Sequence, residues 1–278
     1  MNDEATIEAW SGKDRRDENF PVGSRLIRRD LRPHIHAYYA FARNADDIAD
    51  TPTLSPAEKI ARLNTMESVL LGRSGTGSPS AIRLRTSLAE TGISPRHAID
   101  LLIAFRQDAT KTRYASWNEL FDYCRTSAMP VGRYVLDLHG ESRDTWEPSD
   151  ALCASLQVLN HLQDCVRDLE TLDRCYIPQD LLAAHDQTTG TLRRPAETPG
   201  LRAVFFVLLD RVDTLNHSAL DLPRLVSDRR LRLETAVIVE LAHHLAHRLR
   251  REDPLATRVK LHKSDVLSSL LRALRFLP

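Results

Sequence analysis

Apolar residues recur every three or four positions along most of the chain, the spacing that places them on one face of an α-helix. Proline or a capping residue precedes several of these runs, as Pro33, Ser55-Pro56 and Pro148-Ser149 do. Strand signals are scarce, because the apolar run at 204–209 lies inside a longer helical pattern and Asn-Gly and Asp-Gly pairs are absent. We therefore predict an all-α protein with helices over about 33–50, 56–71, 95 onwards, 116–139, 148–169, 200–220, 229–251 and 264–276.

Two stretches rich in glycine, serine, threonine and proline, at 72–80 and 186–200, are predicted loops. The chain carries no internal repeat of fixed period. Its 278 residues suffice for one large helical domain with a sizeable core. We predict a single domain over 1–278, with residues 1–17 disordered.

The overall charge argues against one kind of partner. Lys+Arg and Asp+Glu both number 38, so the net charge gives no electrostatic reason to expect a nucleic-acid partner. No stretch approaches the roughly 20 apolar residues that cross a bilayer, and the N-terminus lacks the apolar segment of a signal peptide. The four cysteines show no C-x-x-C spacing, so we predict reduced thiols in a cytoplasmic protein.

Acidic residues follow one stripe of the predicted helix 33–50. At about 100° per residue, six side chains fall within an arc of about 100°: Ile35, Tyr39, Ala42, Arg43, Asp46 and Asp50. A solvated surface helix would segregate acids from apolar residues. Carboxylates on an inner face require a compensating cation, and Arg43 supplies only one.

A second oxygen-bearing row lies on the predicted helix over 148–169. Asn160, Asp164 and Asp168 are spaced i, i+4 and i+8, with Gln157 beside them. Hard oxygen ligands of this kind suit Mg²⁺, which bridges carboxylates to the phosphate oxygens of a substrate. One Asp pair at this spacing usually lies on a solvated face; two such rows predict a magnesium site, but they do not name a substrate.

The two rows and their separation resemble the squalene/phytoene synthase family of prenyl transferases. The likeness rests on YAFARNADDIAD (39–50) and QVLNHLQDCVRDLETLDRCYIP (157–178), and it extends from about Phe20 to Pro178. The resemblance implies an all-α isoprenoid-synthase helical bundle around a central cavity, with the two Asp-rich helices facing each other across it. It also implies a prenyl diphosphate as substrate.

The resemblance further implies roles for individual residues. The metal-binding motifs match Asp46, Asp50, Asn160, Asp164 and Asp168, and the four aspartates would carry the Mg²⁺-dependent catalysis. Arg43 matches a diphosphate-contacting arginine, while Phe20, Tyr39 and Gln157 match cavity positions. Tyr38, Tyr39, Phe41 and Phe105 are candidate aromatic faces for a carbocation, and Tyr39 is the one we expect to point inward.

Three further segments, at 18–27, 104–124 and 127–140, resemble the hydroxysqualene synthase branch of the family. That branch ionises presqualene diphosphate and quenches the cation with water, without a nicotinamide cofactor. Two departures from the wider family bear on prenyl condensation. Gln163 replaces a frequent arginine, and residues 125–130 lack a tyrosine before Val131-Gly132. Condensation of two prenyl diphosphates to presqualene diphosphate, squalene or phytoene stays open as the alternative.

Two other classes of protein remain open from the residues alone. Glu240-Ala-His-His243 has the Glu-x-x-His spacing of di-iron carboxylate bundles, but a second copy is absent from the sequence. The second class is a non-catalytic helical scaffold, which would not explain why acids lie on an apolar stripe. The amphipathic run 266–278 predicts either a terminal helix docked on the core or a peripheral membrane contact. A downstream pathway enzyme is a further candidate partner.

Overall fold

The computed structural model describes residues 6–8 and 27–276. Over that part of the chain the fold is helical, with an isolated bridge between Arg113 and Cys175 in place of any strand. The all-α prediction is confirmed. The α-helices, numbered α1 to α13 in chain order, are Arg32–Asp50, Pro56–Leu70, Pro79–Thr91, Arg96–Asp108, Trp117–Ser127, Met129–Leu138, Trp146–Gln163, Cys165–Leu172, Gln179–Ala184, Pro199–Ala219, Leu222–Leu225, Arg229–Leu249 and Lys263–Ala273.

Capping serines start α2 and α5 where the sequence places them. Ser55 and Glu58 form a reciprocal capping box at α2. At α5, Ser116 accepts a hydrogen bond from the backbone of Glu119, as predicted. The Glu119 carboxylate, however, turns to the backbone N–H of Ala115 and to Lys111 rather than to the cap. The helix therefore begins at the predicted residue with only half of the predicted box.

Two predicted helices are each divided in two. The run over 116–139 breaks at Ala128, between α5 and α6. The run over 148–169 breaks at Asp164, between α7 and α8. Both corrections divide a predicted helix, and neither changes the all-α class of the fold.

The chain divides into two compact units, 1–110 with 133–141 and 111–132 with 142–278. In the first, α1 packs against α3 and α4, and its buried face carries Ile35, Phe41 and Ile48. Tyr38 stacks on Tyr134 within that core, with ring centroids 3.9 Å apart. The single-domain expectation stays a prediction.

The second unit is organised around α7, which packs against α10 and α12. Gly132 allows the close approach of α6 to α7: a Cβ there would lie 2.5 Å from Oγ of Ser149 and 2.6 Å from Sγ of Cys153. Ser155 donates a 2.6 Å hydrogen bond to Asn216 in the same interior. Glycine at 132 is thus required by packing.

Residues 6–8 make specific contacts in the first unit. The backbone N–H of Ile7 donates to the carbonyl of Gly77, and Arg62 donates to the carbonyl of Ile7, both at 3.1 Å. Glu8 accepts a 2.6 Å hydrogen bond from Ser78. The rest of the 1–17 segment, for which we expected disorder, lies outside the described residues.

Two further sequence predictions concern the chain's surroundings. All four cysteines are free thiols, as predicted. None of the described helices combines the length and the apolar composition needed to cross a bilayer.

Candidate active site

The first acidic row lies beside the buried face of α1, not within it. Asp46 and Asp50 are partly exposed, as are Tyr39 and Ala42, while the core contacts come from residues one position away. Ile35 of the predicted stripe is buried, so the stripe borders the core face rather than lying wholly inside it. Asp46 and Asp50 stay partly accessible to a ligand there.

Arg43 is the nearest cation to this row. Its guanidinium lies 3.1 Å from the Asp46 carboxylate and 2.6 Å from that of Asp47. Asp47 is the most buried of the α1 acids, at 8% exposure. Since the i, i+3 and i, i+4 pairs use the same guanidinium, Arg43 orients two carboxylates of the row.

A fourth carboxylate, which the sequence reasoning missed, joins the cluster from another helix. Burial and the adjacent Asp50 carboxylate raise the pKa of Asp46 to about 8, and Asp108 and Asp47 add to the rise while Arg43 opposes it. Asp108 ends α4 and is itself buried. These neighbouring carboxylates disfavour the ionised form of Asp46, and 35% of its side chain is open. A divalent cation bound by Asp46 together with one neighbouring carboxylate would offset that repulsion.

The second acidic row keeps its backbone spacing across the break between α7 and α8. Asp164 lies at the junction, with φ −106° and ψ 9°. Its N–H donates to the carbonyl of Asn160 at 3.0 Å, and its own carbonyl accepts from the N–H of Asp168 at 2.8 Å. Because these i, i+4 hydrogen bonds continue through the junction, the three residues keep the one-turn spacing that they would have in a continuous helix.

Two arginines neutralise the central acid of this row. Oδ2 of Asp164 accepts from Arg167 at 2.8 Å, and Oδ1 lies 2.8 Å from Nε of Arg258. Arg167 also reaches to 3.6 Å from Asp168. Both guanidiniums are partly exposed, whereas the Asp164 side chain is 11% exposed. Arg258 was missed by the sequence reasoning because it lies 94 residues away from Asp164.

Gln163 explains how Arg258 reaches that position. The Gln163 side chain is buried, and its amide donates a 2.7 Å hydrogen bond to the carbonyl of Val259. Val259 is also buried and directly follows Arg258. The residue that departs from the family pattern thus fixes the backbone that delivers a guanidinium to Asp164.

The predicted cavity residue Gln157 contacts a neutral histidine. Its Nε2 lies 3.1 Å from Nε2 of His161. Burial, assisted by Arg174, lowers the pKa of His161 to about 3, so the ring is neutral and accepts the hydrogen bond. The imidazole stacks on Tyr176 at 3.5 Å. Gln157 therefore has a fixed orientation on α7.

The candidate aromatic faces on α1 separate into two kinds. Tyr38 and Phe41 are buried in the core of the first unit, and Phe105 packs against that core. Tyr39 is partly exposed on the same stripe as Asp46. Phe20 lies outside the described residues. Of the three tyrosine and phenylalanine residues on α1, Tyr39 is the one on the stripe of the acidic row.

The proposed di-iron ligand Glu240 is committed to arginines. Its carboxylate accepts from Arg275 at 2.8 Å and from Arg272 at 3.2 Å. Among residues 6–8 and 27–276, no three His, Cys, Asp or Glu side chains are grouped closely enough to hold a metal. Mg²⁺ commonly binds through one or two carboxylates together with substrate phosphates, so the two acidic rows remain candidates.

Comparison with known proteins decides the family. The squalene/phytoene synthase family model matches residues 13–265. The chain belongs to the squalene/phytoene synthase family. Among curated proteins, it is 48% identical over 254 residues to hydroxysqualene synthase of Rhodopseudomonas palustris, covering 91% of this chain and 87% of that protein. The same enzyme of Sinorhizobium fredii is 46% identical over 252 residues, covering 91% and 86%.

Solved structures of the squalene/phytoene synthase family share the fold. Squalene synthase HpnC from Alicyclobacillus acidocaldarius matches with a TM-score of 0.73 and 32% identity, over 83% of this chain and 87% of that one. A dehydrosqualene synthase matches with a TM-score of 0.80 over 94% and 92%, although its 18% identity speaks for the fold alone. The predicted family and its helical fold are confirmed. The ligand roles of the acidic rows, and their facing across a cavity, stay predictions.

Proposed function

We propose that the chain converts presqualene diphosphate and water into hydroxysqualene and diphosphate, using Mg²⁺. One observation carries this proposal: relatives named hydroxysqualene synthase are 48% and 46% identical over 91% of the chain. The two acidic rows support it, because ionisation of a diphosphate ester requires charge neutralisation of the leaving group.

The chain's own carboxylates would hold the metal. Asp46 and Asp50 on α1 provide one set of oxygens, and Asn160, Asp164 and Asp168 provide the other. Bound Mg²⁺ would supply Lewis-acid polarisation of the diphosphate oxygens. The raised pKa of Asp46 supports this assignment, since a cation bound there would favour the ionised carboxylate.

Arginines would complete the binding of the diphosphate. Arg43 lies next to the first row, and Arg258 and Arg167 lie beside Asp164. Their N–H groups would donate charge-assisted hydrogen bonds to the departing oxygens. The C–O bond breaks and the diphosphate leaves with the electron pair.

The carbocation left behind needs a surface that does not react with it. The aromatic face of Tyr39 would stabilise the positive charge next to the first row. A water oxygen then forms the new C–O bond and loses a proton, which yields an alcohol without any reductant. These bond changes require no nicotinamide cofactor. The enzyme would act in the cytoplasm.

Gln163 would restrict the reaction to one diphosphate at a time. Condensation holds two prenyl diphosphates together, which demands more cationic contacts than ionisation of one. Gln163 brings no charge, and its amide is engaged by the Val259 carbonyl. We therefore expect presqualene diphosphate to be consumed and farnesyl diphosphate to be left.

The test supplies purified protein with Mg²⁺ and either presqualene diphosphate or farnesyl diphosphate, without NADPH. Mass spectrometry should find hydroxysqualene from the first substrate only, with one oxygen from ¹⁸O-labelled water. EDTA should abolish the reaction and Mg²⁺ restore it. Phytoene from geranylgeranyl diphosphate, or presqualene diphosphate from farnesyl diphosphate at a comparable rate, would overturn the proposal in favour of condensation. Full turnover in EDTA would refute the role of the metal.

A further inference from the structure

The C-terminal helix α13 exposes a continuous apolar surface. Five large side chains on α13 and the turn that follows are at least 40% exposed: Val266, Leu267, Leu270, Leu271 and Leu274. At about 100° per residue, these positions span an arc of about 140°. We call this surface the leucine face.

The side of α13 that packs on the protein is polar. Asp265 accepts a 2.7 Å hydrogen bond from Arg248, and Ser268 lies 3.0 Å from the ring of His244, both on α12. Arg272 donates to Glu240 on the same helix, and Ser269 is fully buried. A terminal helix docked on a core normally buries its leucines and exposes its polar residues. In α13 this arrangement is inverted, so docking does not account for the leucine face.

The surroundings of the leucine face are basic. Lys260 is exposed just before the helix, Lys263 is its exposed first residue, and Arg275 lies two residues beyond its end. Asp265 is the sole acid in the sequence from residue 254 to the C-terminus. It is buried and paired with Arg248, which leaves the exposed surface of α13 without a negative charge. Leucines on one side with lysines and arginines beside them match the composition of helices that lie at an anionic lipid surface.

We propose that the leucine face binds the surface of a membrane that contains anionic lipids, with α13 lying parallel to the bilayer plane. At about 1.5 Å per residue, α13 is too short to cross a bilayer. The leucines would enter the boundary between headgroups and acyl chains, while Lys260 and Lys263 contact lipid phosphates. A second copy of the chain fits less well, because pairing two such faces brings the basic residues of both together.

Vesicle flotation tests this proposal without any turnover, so its outcome is independent of the proposed reaction. The wild-type protein should float with phosphatidylcholine vesicles containing about 30% phosphatidylglycerol, and much less with phosphatidylcholine alone. Salt should weaken the binding, since it screens the lysines from the lipid phosphates.

Substitutions on the leucine face provide the decisive comparison. Leu267→Ser with Leu271→Ser should lower vesicle affinity by about tenfold or more. The matched control, Ile103→Ser with Leu225→Ser, removes two other exposed apolar side chains and should leave binding unchanged. Lys260→Gln and Lys263→Gln should each lower affinity for the anionic vesicles by about fivefold. Circular dichroism and thermal unfolding should show every variant folded.

Three results would overturn the proposal. Wild-type protein that stays in the soluble fraction at low salt would exclude lipid binding. Equal binding by the leucine-face and control variants would place the contact elsewhere. A lipid-free dimer that Leu267→Ser with Leu271→Ser dissociates, seen by light scattering, would assign the leucine face to a second copy of the chain.

Discussion

At the scale of single residues, Asp46 and Asp164 have different surroundings. Asp46 is crowded by other carboxylates, whereas Asp164 is paired with Arg167 and Arg258. We predict that Asp46→Asn and Asp164→Asn each lower turnover by about a hundredfold or more, because each removes a charge that would hold the metal. Steady-state kinetics on presqualene diphosphate checks this.

Both variants should stay folded. Asp46→Asn relieves repulsion, and Asp164→Asn leaves arginines that are partly exposed rather than buried. The control is Asp122→Asn, which alters an exposed ion pair with Arg125 and should keep full turnover. Loss of the folded state in either site variant would mean that the acid has a structural role instead.

Gln163 gives a second residue-scale prediction. Gln163→Leu should lower the free energy of unfolding by about 1–3 kcal/mol, because the buried Val259 carbonyl loses its donor. It should also lower turnover, since Arg258 is then less firmly placed. Arg258→Gln should lower turnover with little effect on stability, because that side chain is 37% exposed. Urea unfolding and kinetics together separate the two effects, and a Gln163→Leu protein as stable as the wild type would contradict the anchoring role.

The sequence predicted the residues of each row because their spacing repeats within one helix. Asp46 and Asp50, or Asn160 and Asp164, are one turn apart, and helical geometry alone relates them. Arg258 could not be predicted in the same way. Its pairing with Asp164 depends on the packing of a segment 94 residues later in the chain. A periodic pattern within one helix carries no information about such a contact. Asp108 was missed for the same reason, since it reaches Asp46 from α4.

At the scale of elements, the two helix breaks differ in how far the sequence signals them. Pro130 occupies the second position of α6, where proline is well tolerated, so it signals a helix start. The apolar periodicity runs through this position and by itself predicts one continuous helix. The break at Asp164 has no glycine or proline beside it. Hydrogen bonds continue across it, so periodicity alone predicts an unbroken helix.

The close approach of α6 to α7 predicts the effect of a single methyl group. Gly132→Ala should lower the free energy of unfolding by about 1–3 kcal/mol, because its Cβ would overlap Ser149 and Cys153. Gly75→Ala is the matched control, since a Cβ there meets no atom within 4 Å. Adding Ser149→Ala and Cys153→Ala to Gly132→Ala should restore stability in thermal unfolding. A failure of this rescue would show that the cost arises elsewhere.

The ion pair that holds α13 predicts a pH dependence. The hydrogen bond from Arg248 lowers the pKa of Asp265, so the pair stabilises the folded state above the ordinary aspartate pKa of 3.8. The contribution is lost as the pH falls through the lowered value. Hydrogen exchange of the α13 amides should therefore stay protected from pH 7 to about 4 once corrected for intrinsic rates. Asp265→Asn should expose α13 to exchange even at pH 7, and unchanged protection would contradict this role.

At the scale of the whole molecule, binding of Mg²⁺ and diphosphate should stabilise the folded protein. Mg²⁺ with pyrophosphate should raise the melting temperature, since a ligand at a hundred times its dissociation constant contributes about 2.7 kcal/mol. On the proposed function, Asp46→Asn and Asp164→Asn should each reduce that rise. Differential scanning fluorimetry measures the shift. A rise that only one variant abolishes would assign the ligand to one row.

The raised pKa of Asp46, caused by burial and by the carboxylates of Asp50, Asp108 and Asp47, has a consequence for protein engineering. An acid whose pKa is raised on folding lowers the stability of the ligand-free fold above the ordinary aspartate pKa, so Asp46→Asn should raise heat resistance. A selection for thermostability alone would enrich that substitution and, on the proposed function, discard catalysis with it. Libraries built on this scaffold should therefore keep Asp46 fixed and seek added stability at positions remote from it.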